Sequence, residues 1–226
     1  MSHITPVITV DGPSGSGKGT ISQLLAKKFD WHFLDSGALY RTLAYAAKKH
    51  NIDLEDAEAL VKQAQVLDLH FKVDADHHNS QIIFEAEDVT EKIRDETVGV
   101  AASKIAVHQS VRDALMQRQR DFQRPPGLVA DGRDMGTVVF PEARHKFFLG
   151  ASLEERALRR FKQLKQKGEL TAYEDILADL SARDYRDKER IASPLKPAED
   201  AVVIDTTGLS IDQVMQKVIE KIYLYL

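Results

Sequence analysis

Residues 7–29, VITVDGPSGSGKGTISQLLAKKF, place a glycine-rich turn between an apolar run and an amphipathic segment. Val7, Ile8 and Val10 predict a short buried strand, and the residues after Lys18 predict a helix. Glycines between a strand and a helix leave backbone N–H groups bare, so that they can wrap phosphates at the positive end of the helix dipole. The G-x-x-x-x-G-K pattern therefore predicts a nucleotide-binding P-loop, in which Lys18 reaches the β- and γ-phosphates. The predicted loop comprises Gly12, Pro13, Ser14, Gly15, Ser16, Gly17, Lys18, Gly19 and Thr20.

The residue after Lys18 is Gly19, where many P-loops carry the serine or threonine that binds Mg²⁺ directly. The hydroxyl group follows one residue later, at Thr20. We therefore expect Mg²⁺ to be held mostly by phosphates and water, with Thr20 as a candidate ligand. The sequence leaves the metal-binding residues unknown. The Gly19 form and the lack of an N-K-x-D stretch both disfavour a switch GTPase.

Composition excludes several classes of protein. The 31 basic and 35 acidic residues give a formal net charge of -4, so we expect no general binding to nucleic acid polymers. The chain has no cysteine, and its first residues lack the pattern of a signal peptide. No apolar run reaches the roughly 18 residues that a membrane span needs. These features favour a cytoplasmic monomer that binds small molecules and no membrane.

The rest of the chain alternates predicted strands with predicted helices. Short apolar runs at 127–130, 146–150 and 201–205 are typical of buried parallel strands. Helical patterns cover 110–123, 152–167, 171–191 and the segment after Ser210. Capping motifs mark three of these helices, at Ser152, at Thr171 with Glu174, and at Ser210 with Gln213. This order predicts an α/β fold with a doubly wound parallel sheet.

One segment interrupts the alternation. Residues 69–85 alternate in hydrophobicity on both sides of a polar turn, which predicts an antiparallel hairpin. We take residues 37–105 as a helix-and-hairpin insert in the parallel-sheet core.

The stretch LDSGALYR, residues 34–41, predicts a short turn at Ser36 and Gly37 before a helix, with Arg41 in its first turn. A capped helix start is enough to explain Ser36. An arginine near a helix N-terminus is unfavourable to the dipole, so Arg41 favours an external anion.

The stretch ADGRDMGT, residues 130–137, follows an apolar strand. Open α/β sheets bind ligands beyond the carboxyl ends of their strands. Arg133 suits a bidentate contact to a phosphate. Asp134 suits cytosine, because a carboxylate accepts from the exocyclic amine and repels the carbonyl oxygen of uracil. The alternative is an ion pair inside the loop.

Arg183, Asp187 and Arg190 are spaced i, i+4 and i+7 on a predicted helix, so they share one face. Surface ion pairs with this spacing are common and contribute little, which leaves an ordinary solvated face as the alternative. Neighbouring charges at Arg186 and Lys188 favour an anionic ligand instead.

In their order and separations, GPSGSGKGT, LDSGALYR, ADGRDMGTVVFP and ARDYRDKERIASPL resemble the motifs of bacterial cytidylate kinases, which belong to the nucleoside monophosphate kinases. The resemblance runs from about Pro6 to the final helix. It implies transfer of the γ-phosphoryl group of Mg·ATP to CMP or dCMP. It also implies a P-loop kinase core of residues 1–36 and 106–226, with a lid at about 165–195, and an inserted CMP-binding lobe at 37–105.

The resemblance implies roles for individual residues. Lys18, Arg133, Arg183 and Arg190 would act on the transferring phosphates, and Arg156 and Arg160 would face ATP. The CMP contacts would come from Ser36, Arg41, Ser103, Arg112, Arg133, Asp134, Arg183 and Asp187. Without the resemblance, Arg112 would be interpreted as a solvated helix residue.

Two other functions stay open at this point. One is a P-loop kinase for a different acceptor, such as UMP, AMP or a sugar. The other is a non-catalytic nucleotide-binding switch. The arginines beyond the P-loop count against a switch, because a binder needs only one phosphate cradle.

Overall fold

The computed structural model describes residues 5–73 and 80–223. They fall into two compact units, residues 1–34 with 122–226 and residues 35–121. None of the described helices is both long and apolar enough to cross a membrane. In chain order the elements are β1 (Val7–Asp11), α1 (Lys18–Phe29), β2 (His32–Asp35), α2 (Ser36–Lys49), α3 (Ala57–Gln65), β3 (Leu69–Val73), β4 (Ser80–Phe84), β5 (Glu87–Asp88), α4 (Glu96–Ile105), α5 (Gln109–Arg120), β6 (Leu128–Gly132), β7 (His145–Gly150), α6 (Leu153–Gln166), α7 (Tyr173–Glu189), β8 (Val202–Asp205) and α8 (Ile211–Tyr223).

The first unit contains a five-stranded sheet in the order β2-β6-β1-β7-β8. The pairs of β1 with β6, β1 with β7, and β7 with β8 are parallel. All five residues of β1 and of β6 are buried, as expected for strands covered on both faces. The predicted parallel-sheet fold is confirmed. The sequence analysis missed β2, in which Leu34 is the only buried residue.

The core of the first unit lies around β1. Twelve buried residues form one hydrophobic cluster, drawn mainly from β1, α1, β6, β7 and α8. The helix α8 contributes Val214, Val218 and Ile222, which recur at helical spacing on one face. This packing fixes α1, and with it the loop that precedes α1, against the carboxyl end of β1.

Two of the three predicted helix caps are present. Ser152 Oγ accepts from Glu155 N at 3.2 Å, and Ser210 Oγ accepts from Gln213 N at 3.2 Å. The predicted cap at Thr171 is wrong. The helix α7 begins at Tyr173 with Ala172 as its N-cap, and no side chain in the described structure caps it. Thr171 lies one residue too early to serve.

The second unit, residues 35–121, has an antiparallel sheet in the order β3-β4-β5 beside α2, α3, α4 and α5. The predicted hairpin is confirmed, although part of its turn, residues 74–79, lies outside the described residues. The short strand β5 was not predicted.

This second unit is longer than the predicted lobe of 37–105, because it includes α5. The buried side chains Val111 and Leu115 anchor α5 within the unit. Ser36 Oγ also donates to Gln119 Oε1 at 2.7 Å, which joins the two ends of the unit.

Candidate active site

The loop from Gly12 to Thr20 has the backbone of a phosphate cradle. A Cβ at Gly12 would lie 2.1 Å from Leu149 O, so no side chain fits between this residue and β7. Gly17 is the N-cap of α1 and has a φ of 88°, in the left-handed region that glycine tolerates. The predicted strand, loop and helix are therefore all present, with glycine at two positions that require it.

Cationic side chains from α6 hold the backbone carbonyls of this loop. Arg156 Nη1 donates to Ser14 O at 3.0 Å, and Arg159 Nη1 donates to Ser16 O at 3.3 Å. Thr206 Oγ1 also donates to Ser16 O, at 3.1 Å. A peptide N–H points away from the C=O of the same peptide unit. Holding these carbonyls on the α6 side therefore turns the following N–H groups toward the opposite side, where an anion can bind.

Arg156 and Arg160 were predicted to face ATP, and the structure separates them. Arg156 is buried, contacts the loop, and pairs with Asp184 Oδ2 at 2.5 Å. Arg160 donates to Gln163 Oε1 at 3.3 Å on the exposed side of α6. Arg159, which the sequence analysis missed, contacts the loop instead. Its spacing of three residues from Arg156 puts both on one helix face and could have indicated it.

Lys18 lies at the start of α1 between a loop carbonyl and a carboxylate. Its Nζ donates to Pro13 O at 3.3 Å and lies 4.0 Å from Asp131 Oδ1. Asp131 is buried near the carboxyl end of β6, and its Oδ2 is 3.2 Å from the position of a Cβ on Gly19. The absence of a side chain at Gly19 therefore leaves room for the Asp131 carboxylate beside the first turn of α1.

The oxygen groups at this point suit Mg²⁺, which prefers carboxylate, hydroxyl, phosphate and water ligands. The hydroxyl of Thr20 is exposed in the first turn of α1, close in sequence to Gly19 and the Asp131 carboxylate. Within residues 5–73 and 80–223, no three His, Cys, Asp or Glu side chains form a group that could hold a metal ion alone. This fits a metal that is held largely by phosphate and water.

Asp11 is a buried carboxylate immediately before the loop. It accepts hydrogen bonds from Met135 N at 2.9 Å and Gly136 N at 2.8 Å. Burial raises the pKa of Asp11 to about 7, helped by the charge of Asp134 and opposed by the two hydrogen bonds and Lys18. The sequence analysis did not single out this residue.

Arg133 and Asp134 lie just beyond β6, where the sequence predicted a site. Asp134 is buried, and it precedes a single π-helical turn, Met135–Val139. Arg133 Nε donates to Asp187 Oδ2 at 2.9 Å, so its ion pair is with α7 and not with a neighbour in its own loop.

Three guanidinium groups surround Asp187. Burial acts to raise the pKa of Asp187, but the positive charges of Arg133, Arg183 and Arg190 outweigh it and hold the pKa below its ordinary value. Arg190 follows α7 as its C-cap and donates from Nε to Ser193 O at 2.7 Å. Asp187 is only 5% exposed, so the alternative of a solvated helix face is wrong. A cluster of three guanidinium groups is suited to an anionic ligand.

The remaining candidates lie in the second unit, and two begin with α2. The predicted turn at Ser36 and Gly37 is wrong, because α2 starts at Ser36 directly after β2. Asp35 is the N-cap and accepts from Ala38 N at 3.0 Å. Arg41 therefore lies in the second turn of α2, where the helix dipole has little effect, so the dipole argument for it does not hold.

Ser103 and Arg112 are both buried in the second unit. The Arg112 guanidinium lies 5.7 Å from the centroid of the Tyr40 ring, and its Nη1 donates to Ala106 O at 3.2 Å. A solvated Arg112 is therefore ruled out. A buried, hydrogen-bonded arginine on an aromatic face is held in one orientation, as a ligand contact requires.

Comparison with known proteins shows one family throughout. A family model described as cytidylate kinase matches residues 8–224. The cytidylate kinase of Stutzerimonas stutzeri (strain A1501) is 56% identical over 222 residues, covering 98% of this chain and 97% of that protein. The cytidylate kinase of Shewanella denitrificans is 54% identical over 222 residues, covering 98% of each. Among solved structures, TT1252 from Thermus thermophilus matches with a TM-score of 0.45 and 20% identity over 98% of each chain, a likeness that carries no argument.

Proposed function

Because this chain belongs to the cytidylate kinase family, which phosphorylates CMP with Mg²⁺ and ATP, we propose that it transfers the γ-phosphoryl group in line to CMP or dCMP at the arginine cluster around Asp187. Family membership makes the chain a phosphotransferase that acts on a nucleoside monophosphate. The observation that carries the proposed site is the convergence of Arg133, Arg183 and Arg190 on one buried carboxylate.

The chemistry follows from charge. An oxygen of the CMP phosphate attacks the γ-phosphorus of ATP, and the bond from that phosphorus to the β,γ-bridging oxygen breaks, giving CDP and ADP. Both reactants are anions, so the protein must hold like charges together and in line. Lys18, Arg133, Arg183 and Arg190 supply the positive charge that offsets the charge of the transition state. No general base is needed, because a phosphate monoester with a second pKa near 6 is largely dianionic at neutral pH.

We assign the P-loop, Gly12 to Thr20, to the phosphates of ATP, with Arg156 and Arg160 as further ATP contacts. The support is strongest for Arg156, whose guanidinium reaches the backbone of the loop. Mg²⁺ neutralises phosphate charge when it is bound, and Thr20 and the Asp131 carboxylate are the protein oxygens that would approach it, directly or through water.

We assign recognition of the acceptor to residues in both units. In the first unit, Asp134 accepts from the exocyclic amine of cytosine, and Arg133, Arg183 and Asp187 bind the phosphate or ribose. In the second unit, the resemblance to the family assigns Ser36, Arg41, Ser103 and Arg112 to CMP. The burial of Ser103 and Arg112 supports this part of the proposal, because polar groups held inside a protein are seldom ordinary solvated residues.

Three further predictions remain part of the proposal. Residues 165–195 act as a lid, residues 37–105 form the lobe that binds CMP, and the protein works as a cytoplasmic monomer. Light scattering coupled to gel filtration tests the monomer, because a dimer would elute with twice the 25.4 kDa mass of the chain.

The direct test is transfer from γ-labelled ATP to CMP by Arg183→Met. We expect kcat to fall by about a hundredfold, as when one charge-stabilising donor is removed. Lys188→Met is the matched control, because this residue is exposed on the same helix and has no assigned role. Equal rates for Arg183→Met and the wild type would refute the role of the cluster.

A further inference from the structure

The carboxylate of Asp11 binds a segment that lies far away in the sequence. Its Oδ1 accepts from Met135 N at 2.9 Å and its Oδ2 accepts from Gly136 N at 2.8 Å. Each oxygen therefore serves one backbone N–H. Asp11 ends β1 and directly precedes Gly12, so one residue contacts the segment after Asp134 and begins the P-loop.

These N–H groups need an acceptor from outside their own turn. The first N–H groups of a helical turn have no partner within it, and a polar side chain usually caps them. Here the turn is Met135–Val139, and Asp134 precedes it without making a capping hydrogen bond in the part of the chain that the structure describes. Asp11 takes over this capping, so the carboxylate of Asp134 is not used for it.

The same segment lies unusually close to β1. A Cβ on Gly136 would be 2.8 Å from Thr9 Oγ1 and 3.2 Å from Lys146 Cδ. Only glycine fits at this distance, so the segment is held against β1 by steric fit as well as by the two hydrogen bonds.

We infer that Asp11 is a positioning residue for substrate selection, because it fixes the segment from Arg133 to Gly136 against the end of β1 and so orients Arg133 and Asp134. The inference rests on the proposed function, in which Arg133 binds phosphate and Asp134 recognises cytosine. It assigns to Asp11 a role that acts through the backbone and not through contact with either nucleotide.

The first test is Asp11→Asn. An asparagine side chain has one acceptor oxygen, and its NH₂ group would face the second backbone N–H. We expect KM for CMP to rise and the CMP to UMP ratio of kcat/KM to fall about threefold to tenfold, the size of one net hydrogen bond. Gly136→Ala, which pushes the same segment away from β1, should lower the ratio in the same direction.

A structural role alone would not change the ratio of acceptors. Val10→Ala is the matched control, because Val10 is the adjacent buried residue of β1 and lies in the core. It should lower the stability of the fold and leave the CMP to UMP ratio unchanged. A ratio that falls as much in Val10→Ala as in Asp11→Asn would overturn the inference.

Asp134→Asn, measured in parallel, separates this inference from the proposed function. If Asp134→Asn keeps the wild-type ratio, then Asp134 does not recognise the base and the proposed function is wrong at this residue. If Asp134→Asn lowers the ratio but Asp11→Asn and Gly136→Ala do not, the proposed function stands and the positioning role of Asp11 is refuted.

A measurement on the wild-type protein needs no variant to fold. Lys18 and Asp134 are the charged groups that act on Asp11, and burial raises its pKa to about 7. The amide resonances of Met135 and Gly136 in a ¹⁵N-labelled sample should therefore shift together with a midpoint near pH 7. The amide of Ile204 in β8 serves as the reference. Resonances of Met135 and Gly136 that do not move between pH 5 and pH 9 would overturn the inference.

Discussion

Replacing Asp11 by asparagine should change how the stability of the fold depends on pH. Burial raises the pKa of Asp11 from an ordinary value of 3.8 to about 7. The folded state therefore binds more protons than the unfolded state between these values, and the free energy of unfolding must fall as pH rises through them. The stabilising contribution is complete below pH 3.8 and is lost by about pH 7. Asparagine does not titrate, so Asp11→Asn removes this loss.

The size of the effect follows from the two pKa values. One pKa unit corresponds to about 1.36 kcal/mol. Integrating the difference in bound protons from pH 5 to pH 8 gives a wild-type loss of about 2 to 3 kcal/mol relative to Asp11→Asn. Urea unfolding at pH 5, 6, 7 and 8 measures this difference for both proteins.

Asp200→Asn provides the control for the same titration. Asp200 is exposed, and its hydrogen bond with Lys146 lowers its pKa, so Asp200 is ionised in both states throughout this pH range. Its stability profile should run parallel to the wild type. If the profile of Asp11→Asn also runs parallel to the wild type from pH 5 to pH 8, Asp11 is not a buried group with a raised pKa and the reasoning is refuted.

Three further predictions concern activity. Arg133→Ala should lower kcat by about a hundredfold while circular dichroism shows the fold intact, because the other guanidinium groups still face Asp187; wild-type turnover would remove Arg133 from the mechanism. Asp134→Asn should narrow the CMP to UMP preference in kcat/KM by about tenfold, within the range for one base-specific contact; an unchanged preference would show that Asp134 does not recognise the base. Arg159→Met should raise KM for ATP more than Arg160→Met does, because Arg159 holds the carbonyl of a P-loop residue; the reverse order would restore Arg160 as the important contact.

Much of the fold could be predicted from local sequence patterns. The buried strands β1 and β6 appear as nearly continuous apolar runs, because helices cover a parallel sheet on both faces. The caps at Ser152 and Ser210 were found because a capping box lies within four residues of sequence. The strand β2 was missed because only one of its four residues, Leu34, is buried, which leaves too little pattern to detect.

The contacts that organise the site were less accessible to sequence analysis. Asp11 and Met135 are 124 residues apart, and no local pattern connects them. Arg156 and Arg159 share a helix face, but the sequence could not show which face would lie against the P-loop. The T-x-x-E pattern at Thr171 is a real motif that the chain does not use, because α7 starts at Tyr173. Motifs therefore located the site, while tertiary packing decided which neighbouring side chains support it.

The most direct test of the central claim is ADP release from Mg·ATP with CMP, dCMP, UMP, AMP or no acceptor, each acceptor at the same concentration. The proposed site predicts strong stimulation by CMP and dCMP, weak stimulation by UMP, and little release with AMP or without an acceptor. Release that does not depend on the acceptor, or equal rates with CMP and UMP, would contradict the assignment of Asp134 and the arginine cluster to recognition and transfer.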